Sequence, residues 1–205
     1  FTDQQVWIPW PLPFFITIFW IAGMISTVNF LDGLDGLAAG VTIITSLILT
    51  VHMIREQQYS AALLPLALLG STLGFLPYNL HPARIFMGGG AYVVGYALGT
   101  LSIIAGARVA TILLVMGIPI IDVAWQIYSR WRGRRAIGQG DRGHLHYRLL
   151  KLGLSQRQIV ALYCFLAALF GVLALLISSR LYKLYMLLIL GVFTTLFLAF
   201  ISRRS

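Results

Sequence analysis

The hydrophobic positions of this chain form long apolar runs, separated by connectors that are charged or rich in glycine and proline. A run of about 20 mostly apolar residues can cross a bilayer as an α-helix. The pattern predicts seven such spans, of which the fourth is the shortest and richest in glycine. The predicted fold is therefore all-α, a polytopic transmembrane helical bundle forming one domain over residues 1–205. The predicted spans are 12–28, 37–54, 61–77, 91–106, 109–128, 158–178 and 181–201.

The composition agrees with a membrane protein. Of the 205 residues 59% are hydrophobic and 10% charged, whereas soluble domains carry about 25% charged residues. The net charge of +9 would be compatible with binding to nucleic acid, but the placement of the basic residues favours a membrane surface. No nucleic-acid partner is predicted. Eight of the fifteen basic residues lie in one stretch between apolar runs, namely Arg130, Arg132, Arg134, Arg135, Arg142, Arg148, Lys151 and Arg157.

The basic stretch, residues 129–157, sets the predicted orientation. Positive charge is retained on the cytoplasmic side of membranes, so this stretch is predicted to be a cytoplasmic loop. Alternating the spans from there places the N-terminus outside and the C-terminus inside. The connectors 29–36 and 78–90 then also face the cytoplasm. The predicted location is the plasma membrane, with the lipid bilayer as a partner and the polar motifs on its inner face.

Three of the six acidic residues lie inside a span or in the short connector between the first two spans, and ionisable groups at membrane depth are costly and usually functional. Asp32 and Asp35 are three residues apart between the first two spans and could bind Mg²⁺ or a polar substrate. The alternative is that they cap the second span. Asp122 lies inside the fifth span, where a polar contact between helices is the alternative to a role in the site.

Within the basic loop, His144 and His146 alternate with Arg142 and Arg148. Arginine forks and histidine donors suit a substrate that carries phosphate. A polybasic segment that binds anionic lipid is the alternative, and both interpretations can hold together. Two histidines without further ligands fall short of a zinc site. His81, alone in its connector, is interpreted as structural.

Four short motifs carry a resemblance to a known family. Residues 29–37 fit N-x-x-D-G-x-D-G-L, and residues 78–88 fit Y-N-x-x-P-A-x-I-F-M-G. Residues 119–122 fit P-I-x-D, and residues 141–149 fit D-R-x-H-L-H-x-R-L. In this order they resemble the polyprenyl-phosphate N-acetylhexosamine-1-phosphate transferases, which transfer a sugar-1-phosphate from a UDP-amino sugar to a polyprenyl phosphate.

The resemblance implies a reaction that uses Mg²⁺, a UDP-N-acetylhexosamine and undecaprenyl phosphate, and that initiates the synthesis of cell-envelope glycans. A homodimer is left open. The H-L-H sequence looks more like the branch that uses UDP-N-acetylglucosamine. The implied catalytic residues are Asp32, Asp35, Asp122, His144 and His146. The implied substrate-binding residues are Asn29, Asn79, Phe86, Gly88, Arg142 and Arg148. The implied metal ligands are Asp32, Asp35 and Asp122.

Two departures from the family pattern affect these expectations. The family carries an aspartate directly after the glycine that corresponds to Gly88, and this sequence continues with Gly89 and Gly90. Residues 1–28 also lack the adjacent aspartates and the lysine of the family's upstream loop. The chain is therefore expected to be the C-terminal part of an enzyme and inactive alone. The alternatives are a non-catalytic remnant of the fold and an ion-coupled transporter.

Overall fold

The computed structural model describes residues 9–104, 109–132, 144–177 and 179–202. In these residues the chain forms nine helices joined by connectors and no strand, which confirms the predicted all-α bundle. The helices are α1 (Leu12–Leu31), α2 (Leu37–Arg55), α3 (Tyr59–Asn79), α4 (Gly90–Ile104), α5 (Val109–Val115), α6 (Gly117–Arg132), α7 (Leu145–Lys151), α8 (Gln156–Leu176) and α9 (Arg180–Ser202).

The number of spans differs from the predicted seven. Five helices of the described residues, α1, α2, α3, α8 and α9, are long and apolar enough to cross a membrane. The predicted fourth span is the shorter helix α4, with 15 residues. The predicted fifth span, 109–128, is broken into α5 and α6, which meet at 81°. Length and apolar content therefore support five crossings, or six if the bent pair counts as one.

The bend between α5 and α6 occurs at Met116, directly before Gly117 and close to Pro119. Sharp bends in helices usually occur at proline or at small residues, because proline cannot continue the hydrogen-bond ladder. Gly117 also allows α9 to approach, since a Cβ atom there would lie 2.6 Å from Cδ2 of Leu190. After the bend, α6 carries Asp122 to the start of α7.

Helix α2 lies at the centre of the bundle. In its most apolar stretch 67% of the residues are buried, against 17 to 28% for the other four long helices. It packs against α3 and α8, while α1 packs closely against α4. Gly95 makes that close contact, because a Cβ atom at this position would lie 2.6 Å from Cα of Ile25. The faces left exposed on α1, α3 and α9 are apolar, as expected for helices in lipid.

Two long-range hydrogen bonds fix which helix ends lie together. Arg157, at the start of α8, donates to the carbonyl of His81, just after α3, over 3.3 Å. Arg55, at the end of α2, donates to the carbonyl of Leu175, near the end of α8, over 2.8 Å. The connectors that carry the first two motifs therefore lie at the same end of the bundle as the start of α8.

Candidate functional site

The turn between α1 and α2, residues 32–36, is the first part of the site. Gly36 adopts φ +79°, a left-handed conformation that glycine tolerates without steric cost, and α2 begins directly after it. Gly36 is the N-cap of α2, and no side chain caps this helix end. Neither Asp32 nor Asp35 therefore makes a capping hydrogen bond to α2, and their carboxylates make other contacts.

Asp32 and Asp35 both accept hydrogen bonds from the connector between α3 and α4. Oδ2 of Asp35 accepts from the backbone N–H of Ala83 at 3.1 Å and lies 2.8 Å from Nδ1 of His81. Oδ2 of Asp32 accepts from the backbone N–H of Gly88 at 2.8 Å. The two carboxylates therefore hold the second motif against the first. His81, interpreted from the sequence as a structural residue, is a direct partner of a candidate catalytic aspartate.

Asn79, the last residue of α3, also links the turn between α1 and α2 to the connector between α3 and α4. It is buried, with 1% of its surface exposed. Its Oδ1 accepts from the N–H of Gly36 at 3.1 Å, and its Nδ2 donates to the carbonyl of Ile85 at 3.0 Å. Both ends of the amide are thus bonded within the protein. Its contact with substrate stays a prediction, and the structure gives it a positioning role.

Asp122 joins α6 to the beginning of α7. Its Oδ1 accepts from the backbone N–H of Leu145 at 3.0 Å, and its Oδ2 lies 3.1 Å from Nδ1 of His144. Asp122 and His144 are both buried. A carboxylate at the first N–H groups of a helix is favoured electrostatically, so Asp122 both anchors α7 and fixes the orientation of the His144 ring. Asp122 therefore does make a polar contact between helices, the alternative given for it above, and its partner is the start of α7.

Helix α7 packs directly on the turn between α1 and α2 at Gly33. The hydroxyl of Tyr147 donates to the carbonyl of Gly33 at 3.2 Å. A Cβ atom on Gly33 would lie 2.6 Å from Nε2 of His146 and 2.9 Å from the hydroxyl of Tyr147. Only glycine leaves room for this contact. The motif with the histidines therefore packs on the motif with the aspartates, although Gly33 and His146 are 113 residues apart in the sequence.

The rings of this region form a continuous row. Phe30 and His144 have centroids 4.5 Å apart, His144 and His146 are stacked at 5.7 Å, and His146 and Tyr147 are 4.3 Å apart. His146 is 1% exposed. The two histidine rings are consequently fixed by packing on both sides, which restricts the directions in which their nitrogens can bond.

Burial shifts the pKa of two groups in the site. Desolvation lowers the pKa of His146 to about 4, with the Asp122 charge opposing the shift, so His146 is neutral at pH 7. Partial burial raises the pKa of Asp32, the hydrogen bond from Gly88 opposes this, and the charge of Asp35 adds to it. A bound cation would remove the repulsion between the two carboxylates.

The sequence of these elements is similar to that of known proteins. Residues 1–106 match the family model for "Glycosyl transferase family 4". The matched half of the chain includes the turn with both aspartates and the connector that contacts them. This chain belongs to glycosyl transferase family 4.

The curated relatives have names of two kinds, which differ in the sugar group that they contain. The chain is 34% identical over 180 residues to the probable undecaprenyl-phosphate N-acetylglucosaminyl 1-phosphate transferase of Bacillus subtilis (strain 168), with 84% of this chain and 49% of the relative covered. It is 38% identical to the decaprenyl-phosphate N-acetylglucosaminephosphotransferase of Mycolicibacterium smegmatis, with 72% and 43% covered. It is 37% identical to the phospho-N-acetylmuramoyl-pentapeptide-transferase of Symbiobacterium thermophilum, with 82% and 51% covered.

These comparisons confirm the predicted superfamily. The chain spans about half the length of the curated relatives that it matches. The names of the relatives contain both N-acetylglucosamine phosphate and phospho-N-acetylmuramoyl-pentapeptide, so family 4 membership leaves the sugar open.

The residues of this family 4 chain fit magnesium in part. In the described ranges, no group of three or more His, Cys, Asp or Glu side chains could hold a metal ion. The hydrogen bonds of Asp32 and Asp35 use Oδ2 of each carboxylate. Because Mg²⁺ commonly takes one or two carboxylates together with substrate phosphates, Asp32 and Asp35 fit such a partial ligand set. The metal assignment of Asp122 stays a prediction.

The other predicted site residues differ in how far they are buried and in whether they contact the aspartates. Asn29 is half-buried near the end of α1, and Arg148 is half-buried on α7. Phe86 is 70% exposed at the edge of the site. Gly88, at φ +52°, already uses its N–H on Asp32. Arg142 lies outside the described residues. Sequence reasoning missed Gly33, and the only signal for it was its place inside the first motif.

Proposed function

We propose that the full-length protein carrying this chain transfers a sugar-1-phosphate from a UDP-N-acetylhexosamine to undecaprenyl phosphate and releases UMP. N-acetylglucosamine-1-phosphate is the favoured group. Family membership and the polyprenyl phosphates in the names of the relatives support this reaction. The observation that carries the proposal is that the four motifs, far apart in sequence, contact one another at one end of the bundle.

The reaction is a phosphoryl transfer. An oxygen of the prenyl phosphate attacks the β-phosphorus of the UDP-sugar and forms a new P–O bond. The bond from this phosphorus to the bridging oxygen breaks, and UMP leaves with the electron pair. Such transfers depend mainly on positioning and on stabilising the charge of the phosphates. The site is suited to both, since its carboxylates and histidines are held by short hydrogen bonds and ring packing.

Asp32 and Asp35 are proposed to hold Mg²⁺ together with the diphosphate. When bound, the ion neutralises phosphate charge in the transition state. Burial is the main cause of the raised pKa of Asp32, and the charge of Asp35 adds to the shift. A bound cation would offset both effects, which supports this role. Their contacts to Ala83 and Gly88 would keep the two carboxylates in place as substrate enters.

The histidines and the basic loop are proposed to contact the donor. Asp122 holds His144 through Nδ1, which in the neutral ring leaves Nε2 as the acceptor nitrogen. Arg142 and Arg148 supply positive charge for the phosphates. The exposed ring of Phe86 offers an aromatic face on which uracil could stack. A transporter finds less support, because the aspartates lie at one end of the bundle and not along its length.

An assay of the full-length protein in detergent and lipid tests the proposal. UMP is expected only when UDP-N-acetylglucosamine, undecaprenyl phosphate and Mg²⁺ are all present, as measured by chromatography together with mass detection of the lipid-linked sugar. Parallel reactions with UDP-N-acetylgalactosamine and the UDP-muramoyl-pentapeptide identify the preferred donor. UMP without the prenyl acceptor would indicate hydrolysis. Binding of the UDP-sugar without UMP release would instead favour the non-catalytic remnant.

The site is proposed to face the cytoplasm of the plasma membrane, where a nucleotide sugar is available. Eight basic residues between residues 130 and 157 support this orientation. A cysteine placed at Gly138, which lies outside the described residues, is expected to react only after the cells are permeabilised. A cysteine at Gln57, in the connector at the opposite end, is the matched control and should react in intact cells, after Cys164 is replaced by serine. Labelling of Gly138→Cys by an impermeant reagent in intact cells would contradict the orientation.

A further inference from the structure

A small cavity lies behind the contact between α6 and α7. It has a volume of about 10 Å³ and is lined by residues of α1, α6, α7 and α8. Four of its lining residues are apolar, and the other four are Thr27, Asp122, His146 and Tyr163. One water molecule needs roughly 10–15 Å³ of such volume. The cavity is therefore the size of a single water.

Two polar wall residues, Thr27 and Tyr163, have no place in the proposed reaction. The Thr27 hydroxyl already donates to the carbonyl of Gly23 at 2.8 Å, which leaves Tyr163 to be explained. It lies on α8 with 4% of its surface exposed. Within the described residues its hydroxyl has no hydrogen-bond partner in the protein. Phenylalanine would fill the same space without this cost, since a buried hydroxyl without a partner destabilises a protein. A tyrosine here needs a partner that the neighbouring side chains do not supply directly.

His146 lines the same cavity and, within the part of the chain that the structure describes, also carries a buried polar atom without a partner. Its Nε2 is buried and, among the described residues, has no hydrogen-bond partner. The oxygens of Asp122 accept one hydrogen bond each from the protein, and a carboxylate can accept about four. Within the described ranges, the three residues that carry a hydroxyl donor, an unpaired ring nitrogen and a carboxylate with remaining capacity thus line one cavity. Buried waters typically make about three hydrogen bonds to groups of this kind.

We propose that Tyr163 is a positioning residue of the site, and that its hydroxyl binds one internal water shared with Asp122 and His146. The hydroxyl donates to the water, and the water donates one hydrogen to the Asp122 carboxylate and the other to Nε2 of His146. This arrangement satisfies all three groups. It also links α8 to the two elements that hold the histidines, so that the rotamers of Asp122 and His146 are fixed from behind.

The replacement Tyr163→Phe in the full-length protein tests the water and the positioning role separately. The first readout is the unfolding temperature in detergent. If the hydroxyl bonds a water, its loss should lower the unfolding temperature by about 2–4 °C. If the hydroxyl has no partner, removing it should leave the temperature unchanged or raise it, and this result would overturn the proposal. The first readout does not depend on the proposed function.

The second readout rests on the proposed function. At a temperature well below unfolding, kcat for UMP release should fall about tenfold or more, because outer partners of site residues typically contribute that much. KM for the UDP-sugar should stay within about twofold, since a group behind the site changes orientation more than binding. A lowered unfolding temperature with unchanged kcat would overturn the positioning role. A parent protein without any turnover would count against the proposed function alone.

Tyr96→Phe is the matched control. Tyr96 lies on α4 with 53% of its surface exposed, so its hydroxyl loses no buried contact. Neither the unfolding temperature nor kcat should change. A crystallographic or cryo-EM map of the full-length protein with ordered waters gives an independent check: density for a water within hydrogen-bond distance of the Tyr163 hydroxyl supports the proposal, and a well-defined empty cavity overturns it.

Discussion

Replacing Asp35 by asparagine in the full-length protein is expected to lower the rate of UMP release by about a thousandfold while the protein stays folded. The amide oxygen of asparagine can still accept the hydrogen bond from Ala83 and take the place of Oδ2 beside His81. The substitution removes the negative charge on which the proposed magnesium site depends. Losing several kcal/mol of charge stabilisation corresponds to a rate loss of this size. The measurement is UMP release across a Mg²⁺ titration.

The variant His81→Gln is the matched control for Asp35→Asn. Glutamine can still donate to Asp35, and the carboxylate keeps its charge. Because at most about one hydrogen bond is weakened, the rate should stay within about tenfold of the parent rate. Both variants should elute as single species at the parent volume in size-exclusion chromatography. A near-normal rate for Asp35→Asn would mean that this carboxylate only positions the connector between α3 and α4.

Replacing Gly33 by alanine is expected to reduce transfer by about a hundredfold. The new Cβ atom would lie 2.6 Å from Nε2 of His146. His146 cannot turn aside, because its ring is buried between those of His144 and Tyr147. Helix α7 must therefore shift, and a misplacement of about 1 Å can cost about a hundredfold in rate. Overpacking of this kind should also destabilise the protein by about 1–3 kcal/mol.

Gly74→Ala is the matched control for the Gly33 variant. Gly74 lies in α3, and a Cβ atom there would meet nothing within 4 Å. Alanine favours a helix over glycine, so the stability should be unchanged or slightly higher. Rates of UMP release and unfolding temperatures of both variants give the comparison. If Gly33→Ala turns over like Gly74→Ala, the docking of α7 on the first turn is not required for transfer.

The sequence alone predicted the long helices because apolar length is a local property. The predicted span 158–178 is α8, Gln156–Leu176, and the predicted span 37–54 is α2, Leu37–Arg55. The start of α8 has a local signal as well, a capping box between Ser155 and Gln158. The bend between α5 and α6 was not predicted, since residues 109–128 are apolar enough for a continuous span. Gly117 and Pro119 permit a bend, but the packing of α9 helps to set it.

The sequence also identified the family, because short motifs preserve the residue types and spacings that a site needs. The sequence predicted the roles of individual residues less well. Asn79 was predicted to bind substrate, and the structure shows its amide bonded to Gly36 and Ile85. His81 was interpreted as structural, and it lies beside Asp35. These partners are up to 46 residues apart, and residue type at one position does not specify which distant side chain will lie beside it.

What the sequence by itself determined is the membrane class, the positions of the long helices and the family. Each follows from a run of apolar residues or from a fixed spacing within a few turns of chain, where local physical preferences act. Only the tertiary structure decided that Gly33 lies under His146 and that Asp122 anchors α7. It also placed Tyr163 against the same cavity as Asp122. Such contacts join separate helices, and they depend on packing distances of a few ångströms that the order of residues along the chain does not contain.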